Sequence, residues 1–588
     1  MLDINEFKEN LVEYECVRIR DAQSVWINAD KIDDLKDVLG PGPTEASFAR
    51  YFSYISKINN CFRDSELDRN ERRIYRAERY GGRGVGENGG GGRAGNHGRF
   101  QIKGTGPNLL ARSSATWHSY GSLNLIDAGY EAIYSTILDS LLPLGCVTIY
   151  GVIHTSTSGA FQMNGWGTRN AELVPAPGAL LVREQVVRPA HFLHAETFSP
   201  PKSAALMHEP NRMRAVHRRL KAQFESTNQF VQFLGKFILS AAQQFAFARA
   251  ARIAHGGVSP SNICLDGRWI DLTEARFLSG GKNFRGSTPF YDEPQVVIES
   301  FTRLIHAFTK CNVCQFNVEP LVRYFHSVFD SCFVHYSLSI LGLSNTNLKF
   351  VAESEDGKAY VKAFASVILR GKQPVPDTSG GTDPSDPVIA FMRLSYIALA
   401  NQNDVLPKLC AILGCPSAEA LAVTVAFRNV FRESLALDAS EADPQTYRSH
   451  AIASAIKALR WAYLSACFYR GAITPRLYQS VGAGDLSALG AFIQGCVDQS
   501  KWIFATACSG DVVILETSGV RVGFDQKRCS YIVTAGSERT FNRYEDCLDF
   551  ITSRHPNLCL NGTLDPLFYL RGIADVLAHL EHMPGIPG

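Results

Sequence analysis

The chain has 588 residues, of which 45% are hydrophobic and 20% charged, as expected for a globular protein of two or three domains. Its formal net charge of +2 provides no basic field that would favour a nucleic-acid partner. The sequence contains no run of about 18 apolar residues, so it predicts no membrane span. The N-terminal segment MLDINEFKEN also lacks the basic and apolar regions of a secretory signal.

The cysteines indicate a reducing compartment. Fifteen of them, an odd number, are scattered along the chain, so we expect free thiols in a cytoplasmic protein and not a disulfide scaffold. Cys311 and Cys314 form one CxxC pair. A zinc site would need a second pair of ligands at close spacing, and the sequence shows none. The pair can be interpreted as a redox pair or as two cysteines without a joint role, and the second interpretation is favoured.

The predicted elements begin with mixed short helices and turns over residues 1–60. The alternating charges of residues 62–80 predict a solvated helix or an extended arm. A glycine-rich stretch, 81–98, then precedes the strand-like sequence RFQIKG. Farther along, the patterns predict a helix at 122–142, strands at 146–153 and 179–188, a long helix at 216–254, two short strands at 262–265 and 268–272, and helices to about 345.

A segment rich in Pro, Gly, Ser and Asp, residues 374–387, predicts a linker. We therefore expect a large unit over 1–373, a helical region over 388–500 and a small α+β module over 501–588. The runs WIFATA, DVVILET, VRVGF and YIVTAG predict the strands of this module, and helices are expected over 543–584.

The first candidate site combines the glycine-rich stretch with Lys103. Glycines let backbone N–H groups approach phosphates closely, although such a stretch is more often a flexible surface loop. Lys103 ends the following strand and could place a positive charge on a phosphate, while Glu131 on the next helix could pair with it. A surface lysine and an exposed helical glutamate are the alternative interpretations.

The second candidate site follows the long helix, in the sequence HGGVSPSN that begins at His255. Asn262 ends this sequence, and Asp271 follows nine residues later, beyond the predicted turn at Asp266-Gly267. Two hard oxygen ligands on one hairpin suit Mg²⁺ bound to nucleotide phosphates. The alternatives are a turn cap for Asn262 and a helix cap for Asp271. The metal role is favoured because an aspartate after a buried strand without a lysine partner is costly to bury.

In their order along the chain, these motifs resemble the protein-kinase-like superfamily, and within it the selenoprotein O family of protein adenylyltransferases. The resemblance spans roughly residues 75–345. The matching residues are Tyr80, Gly82, Gly86, Gly92-Arg93-Ala94, Gln101-Ile102-Lys103-Gly104-Thr105-Gly106, Glu131, Leu144-Gly145, the segment from Val187 to His194, His255-Gly256, Asn262 and Asp271. The spacing from Lys103 to Glu131 is several residues longer than in the family.

The resemblance implies an α/β (α+β) fold with a protein-kinase-like bilobal domain, followed by the helical region and the C-terminal module. It implies ATP and Mg²⁺ or Mn²⁺ as cofactors. The implied catalytic residues are Lys103, Glu131 and Asp271, the metal ligands are Asn262 and Asp271, and the nucleotide-binding residues are Gly82, Gly86, Gly92, Arg93, Lys103, Arg183 and Arg188. Arg188 is the first choice for the phosphate-binding arginine, and Arg183 is the second.

The chain departs from the family at the expected catalytic base. The family has an aspartate just before the metal-binding Asn, where this chain has Ser261. The sugar-kinase pattern would place its aspartate at Gly257, and His194 stands where a second family arginine would fall. Glu274 is a weak candidate to replace the missing catalytic base. General-base help contributes roughly 10²–10⁴ in rate, so an ionised acceptor such as a carboxylate is favoured over a hydroxyl.

The resemblance implies a nucleotidyltransferase that moves AMP to a protein or peptide acceptor (AMPylation), with the nucleotide reversed relative to a kinase. Residues beyond 388 are expected to bind that acceptor, and neither nucleic acid nor membrane is an expected partner. Two alternatives are a γ-phosphotransferase acting on a small molecule or peptide, and a nucleotide-binding pseudokinase scaffold. The missing aspartate at Gly257 disfavours the first, and the retained Lys103, Asn262 and Asp271 disfavour the second.

Overall fold

The computed structural model describes residues 2–58, 61–112, 121–164, 172–200, 206–343, 347–375, 385–435, 443–506, 511–560 and 564–583. The architecture is mixed α/β with a large antiparallel sheet.

The strands are β1 (Leu11–Ile19), β2 (Gln23–Ile27), β3 (Tyr54–Ser56), β4 (Leu67–Glu78), β5 (Ala94–His97), β6 (Phe100–Lys103), β7 (Ile149–His154), β8 (Ala160–Asn164), β9 (Glu172–Ala176), β10 (Ala179–Glu184), β11 (Ile253–Ala254), β12 (Arg276–Phe277), β13 (Asn283–Phe284), β14 (Pro374–Val375), β15 (Asp511–Thr517), β16 (Val520–Asp525), β17 (Ser530–Ala535) and β18 (Ser537–Phe541).

The helices are α1 (Lys36–Leu39), α2 (Glu45–Phe52), α3 (Leu125–Leu141), α4 (Glu209–Ala222), α5 (Thr227–Ala251), α6 (Glu293–Asn312), α7 (Glu319–Ile340), α8 (Leu348–Glu353), α9 (Glu355–Ile368), α10 (Pro387–Ala400), α11 (Leu406–Leu413), α12 (Ser417–Ser434), α13 (Pro444–Leu464), α14 (Arg470–Gly482), α15 (Leu486–Ile503), α16 (Tyr544–Arg554) and α17 (Leu567–Glu581).

An eight-stranded sheet organises the N-terminal region, in the order β2-β7-β10-β6-β5-β4-β1-β3. Successive side chains of a strand point to opposite faces. In β10, Ala179 and Leu181 accordingly join the core beneath α3, whereas Leu180 and Val182 join a second core that contains Phe48 of α2. The sheet is therefore buried on both faces, with α3 and α2 on opposite sides.

The prediction for residues 1–60 is incomplete: the expected short helices are present, among them α1 and α2, but β1, β2 and β3 of the sheet lie there as well. The prediction for 62–80 is wrong: most of this segment forms β4, which pairs with β1 and β5 and is not a solvated helix or arm. Tertiary pairing overrides the charge pattern in β4, because Tyr75 and Ala77 are buried while Arg76 between them is exposed.

Other predictions are confirmed with shifted bounds. Helix α3 and strands β6, β7 and β10 occur where expected, whereas the helix predicted at 216–254 is divided into α4 and α5. The predicted strands DVVILET, VRVGF and YIVTAG lie in β15, β16 and β17 of a four-stranded sheet, and α16 and α17 form the helices expected after it. WIFATA is not a strand, since α15 extends to Ile503.

Both ends of the predicted linker are held by the fold. Pro374–Val375 pairs with Asn283–Phe284, and the buried Asp386 carboxylate accepts a hydrogen bond from Gly280 N at 2.6 Å. Residues 376–384 lie outside the described residues. A single hydrophobic core continues across this point, from Ile4 to Met583.

None of the described helices alone combines the length and apolar composition needed to cross a bilayer. One pair bent by 105°, α11 with α12, meets that test only when the two helices are counted together. No disulfide bond joins cysteines of the described ranges.

Candidate functional site

Lys103 and Glu131 form the buried ion pair that the sequence predicts. Lys103 ends β6 opposite Leu181 of β10, and α3 packs against β10 and β7. The Lys103 Nζ lies 2.6 Å from Glu131 Oε2, and both side chains are at most 3% exposed. Neither residue is therefore the exposed surface charge that the alternative interpretation requires.

Asp271 provides a second carboxylate to Lys103, and Arg183 completes the cluster. Arg183 Nη1 lies 2.7 Å from Glu131 Oε1 and 3.9 Å from Asp271 Oδ1. The side chain of Asp271 is 28% exposed, so the cluster opens to solvent at this residue. We refer to Lys103, Glu131, Arg183 and Asp271 as the open cluster.

The sequence argument that Asp271 has no lysine partner is wrong, because Lys103 contacts its carboxylate directly. Residues 168 positions apart in sequence meet here through the fold. Burial alone would raise the pKa of Asp271, but the Lys103 and Arg183 charges outweigh burial and lower it, so Asp271 is ionised at neutral pH. Its φ of 65° is unusual for a residue other than glycine, and a nearby functional site is one cause of such backbone strain.

A second buried network lies beside the open cluster, and the sequence analysis did not predict its central carboxylate, Glu78. The Glu78 carboxylate binds the Arg188 guanidinium and accepts hydrogen bonds from Asn96 and Gln101, each at 2.8 Å. His191 Nε2 lies 3.1 Å from the same carboxylate. We refer to Glu78, Asn96, Gln101, Arg188 and His191 as the closed cluster, because all five are at most 3% exposed.

Hydrogen bonds also assign the His191 tautomer. Nδ1 accepts from Arg188 N at 3.0 Å, so the ring proton is on Nε2 and is donated to Glu78. Burial lowers the pKa of His191 despite the nearby carboxylate. For Glu78, burial opposes ionisation, but the Arg188 charge and the His191 hydrogen bond lower its pKa further than burial raises it.

Arg188 lies in the closed cluster with its guanidinium on protein acceptors. Besides Glu78, it donates to the Ser261 carbonyl at 2.9 Å and lies 4.9 Å from the centre of the Tyr80 ring. Its phosphate-binding role remains a prediction. Arg183 lies in the open cluster and joins the two networks, because its Nε donates to Gln101 Oε1 at 2.8 Å.

The segment that carries Asn262 packs beside Asp271. The Asn262 carbonyl accepts from Ile270 N at 3.2 Å, and its side-chain amide donates to Gly257 O at 2.8 Å. The predicted hairpin turn is present at Gly267, where φ is 93°, but the two predicted strands reduce to a single bridge between Ile263 and Trp269.

The side-chain oxygens of Asn262 and Asp271 are of the type that Mg²⁺ prefers, and their role as metal ligands remains a prediction. The Asn262 side-chain oxygen accepts from Ser261 Oγ at 3.1 Å, and Asp271 is ionised. Mg²⁺ in nucleotide sites commonly takes only one or two carboxylates from the protein. Within the part of the chain that the structure describes, no group of three or more His, Cys, Asp or Glu could hold a metal ion alone.

The glycine-rich stretch folds back onto this segment. Gly82 and Gly86 have φ of 94° and 59°, conformations that favour glycine. A Cβ on Gly82 would lie 2.9 Å from Leu193 Cδ1, and one on Gly84 would lie 3.8 Å from Ser259 Cβ. The loop therefore reaches from the sheet to the residues just before Asn262.

Gly92 and Arg93 lie at the base of this loop. A Cβ on Gly92 would lie 3.2 Å from Ala111, and the Arg93 carbonyl accepts from Gly104 N at 2.8 Å. Arg93 Nη1 donates to Ser122 O at 3.4 Å. The Arg93 charge also contributes to the lowered pKa of Asp271.

Ser261 and Glu274, the two positions considered for the missing base, both contact other protein side chains. Ser261 Oγ contacts Ser259 Oγ at 2.9 Å, and the Glu274 carboxylate pairs with Arg276 at 2.8 Å and Arg470 at 3.2 Å. Glu274 would have to leave these two arginines before it could contact an acceptor.

No protein-family model matches the chain, and no curated protein is significantly similar to it. The function must therefore be inferred from the chain's own residues.

Proposed function

We propose that the chain is an ATP- and Mg²⁺-dependent protein or peptide adenylyltransferase with a protein-kinase-like bilobal nucleotide-binding domain. The observation that best supports this function is the open cluster, in which Lys103 is bound by a helix carboxylate and by Asp271 beside Asn262. A lysine, a helix glutamate and a metal aspartate in this order form the phosphate site of kinase-like enzymes.

The open cluster could take up the charge of a nucleotide. Its two cations and two carboxylates offset each other when no ligand is bound, and Asp271 is the exposed member. Phosphate oxygens entering at Asp271 would meet the Lys103 ammonium and the Arg183 guanidinium. Backbone N–H groups of the 81–93 loop would bind the same phosphates from above. Mg²⁺ held by Asn262 and Asp271 would supply further positive charge.

The lack of an aspartate at Ser261 or Gly257 favours an acceptor that is already ionised. A carboxylate oxygen of a protein or peptide would attack the α-phosphorus, and the bond to the oxygen bridging the α- and β-phosphates would break. Pyrophosphate would leave, and AMP would remain on the acceptor. No proton must be removed from the attacking group, so no general base is required.

ATP labelled at the α or the γ position tests this function. Transfer of the α-label to an acceptor with pyrophosphate release is the expected result, and Lys103→Met should abolish it. Transfer of the γ-label with ADP as product would replace the proposal by a γ-phosphotransferase. ATP binding without transfer of either label would leave only a nucleotide-binding scaffold.

We further propose that residues 388–588 bind the acceptor, because the site residues all precede residue 374. An acceptor peptide should slow amide hydrogen exchange in that region. Protection confined to residues before 374 would contradict this assignment.

A further inference from the structure

Helix α3 is covered by α14 and α15 on the face opposite the open cluster. Gly129 and Glu131 are two residues apart, so they project about 200° apart around the helix. A Cβ on Gly129 would lie 3.2 Å from Leu477 Cδ2 of α14 and 3.7 Å from Ile493 Cδ1 of α15. The glycine therefore permits close packing by two helices that lie beyond residue 388.

Two tyrosines of α3 extend this contact. The Tyr134 hydroxyl donates to the Phe468 carbonyl, just before α14. The Tyr130 ring stacks on the Tyr134 ring with centroids 4.6 Å apart, and its hydroxyl donates to Ala275 O at 2.7 Å. Tyr130 therefore links the helix that carries Glu131 to the segment that follows Asp271.

Arg470, the first residue of α14, contacts both parts of this link. Its guanidinium lies 4.9 Å from the centre of the Tyr130 ring, where a cation interacts favourably with the ring face. Its Nη1 lies 3.2 Å from both the Thr273 carbonyl and Glu274 Oε2. One side chain from the C-terminal region thus reaches the neighbour of Glu131 and a residue two positions after Asp271.

We propose that α14 and α15 form a clamp that fixes the separation of Glu131 and Asp271, with Arg470 as its positioning residue. These two carboxylates together orient Lys103, so movement of α14 would change the direction of the lysine without any contact to it. The C-terminal region then sets the geometry of the open cluster. The catalytic consequence rests on the proposed function, whereas the structural clamp does not.

Arg470→Met tests the clamp, because methionine retains an apolar stem over Tyr130 but loses the guanidinium. Arg393→Met is a matched control: Arg393 pairs with Asp575 at 2.6 Å, and its side chain is 32% exposed, compared with 33% for Arg470. The readout is reductive methylation of Lys103, measured by mass spectrometry well below the melting temperature. Lys103 is 3% exposed and paired, so it should resist methylation in the wild-type chain.

Arg470→Met should raise the methylated fraction of Lys103 about fivefold through local opening, and Arg393→Met should leave it unchanged. Arg470→Lys should fall between them, because the charge over Tyr130 is kept. Equal methylation in the Arg470 and Arg393 variants would overturn the clamp. If Arg470→Met does not fold, Arg470→Lys and Arg393→Lys are compared in the same way.

Catalysis provides a separate readout. Arg470→Met should lower kcat for AMP transfer about tenfold while the KM for ATP changes less than about twofold. An unchanged kcat alongside raised methylation would overturn the catalytic role of the clamp. A wild-type chain that transfers no AMP would overturn the proposed function, and the methylation comparison would still decide the clamp.

Discussion

The open and closed clusters are neighbouring buried charge networks that differ in their access to solvent. In the closed cluster, Glu78 and Arg188 are both at most 3% exposed, and the Glu78 carboxylate is bound by four side chains. In the open cluster, Asp271 is 28% exposed and adopts a left-handed backbone conformation. Paired charges thus stabilise the fold in the closed cluster, which is shielded from solvent. In the open cluster, which solvent reaches at Asp271, they can also bind a ligand.

The closed cluster should show the largest effect on stability. Glu78→Gln leaves the Arg188 guanidinium buried without its carboxylate, so the free energy of unfolding should fall by about 3–5 kcal/mol. Urea denaturation measures this change. Glu13→Gln on β1 is the control, because Glu13 is 65% exposed and pairs with Arg76, so its change should stay below about 0.5 kcal/mol. Equal losses in both variants would contradict the distinction between the clusters.

Asp271→Asn should instead reduce ligand binding. Asparagine tolerates the φ of 65° better than alanine, so the fold should be kept while the negative charge is lost. Calorimetric titration should show Mg²⁺-dependent ATP binding weakened roughly 100-fold, about 2.7 kcal/mol. Asp266→Asn, on the same hairpin, should bind like wild type. Wild-type binding by Asp271→Asn would remove Asp271 from the metal site.

A third buried carboxylate sharpens the comparison, because Glu293 has no ion pair within the described ranges. Its carboxylate accepts from Gly256 N at 2.7 Å and His255 N at 3.2 Å. Burial raises the pKa of Glu293 to about 7, in contrast to the lowered pKa values of Glu78 and Asp271. Of these three carboxylates, the two with cationic partners have lowered pKa values, whereas hydrogen bonds alone do not keep the pKa of Glu293 low.

The raised pKa predicts a pH dependence of stability. Between the unfolded value of about 4.3 and about 7, folded Glu293 keeps a proton that the unfolded chain has lost. Its contribution to the free energy of unfolding therefore falls by at most about 1.4 kcal/mol per pH unit as pH rises through that window. Above the window the contribution is constant. Glu293→Gln should lack this fall, so the variant should gain on wild type from pH 5 to 7.

Urea denaturation of both proteins at several pH values measures the difference in their free energies of unfolding. The contribution of the histidines is the same in both proteins and cancels in this difference. Glu299→Gln, an exposed position on α6, controls for a change in that helix. A constant difference between Glu293→Gln and wild type across the window would show that Glu293 does not titrate there.

The smallest expected effect concerns the ring beneath Arg188. Tyr80→Leu removes the cation–π contact at 4.9 Å and should lower the free energy of unfolding by about 1 kcal/mol. Tyr80→Phe keeps the ring, so its effect should be below about 0.5 kcal/mol. Thermal or urea denaturation compares the two, and equal losses would show that the hydroxyl matters more than the ring.

The sequence predicts one half of this comparison well. The pairing of Lys103 with Glu131 is predicted correctly because the two residues lie on a strand and a helix with strong local patterns. Their functional roles remain predictions. The turn at Gly267 is predicted for the same local reason. The partnership of Lys103 with Asp271 is not predicted, because it depends on the packing of a segment 168 residues away.

Glu78, the central carboxylate of the closed cluster, is missed for a different physical reason. Glu78 lies between Arg76 and Arg79 in a charged run, and the local charge pattern predicts a solvated segment. Only the pairing of β4 with β5 shows that the side chain is buried beside Asn96. Its position just before Tyr80, which begins the glycine motif, is the one signal that could have identified it.

The hydrogen bonds through both clusters form a closed circuit. It passes from Asp271 through Lys103, Glu131, Arg183, Gln101, Glu78 and Arg188 to the Ser261 carbonyl, and returns through the contact of Asn262 with Ile270. During evolution, the two partners of a buried ion pair in this circuit must change together, because substitution of one partner alone leaves the other as a buried charge without a counter-charge. In divergent descendants of this chain, positions 78 and 188 should therefore change together, as should 131 and 183, whereas the exposed pair of Glu13 and Arg76 should drift independently.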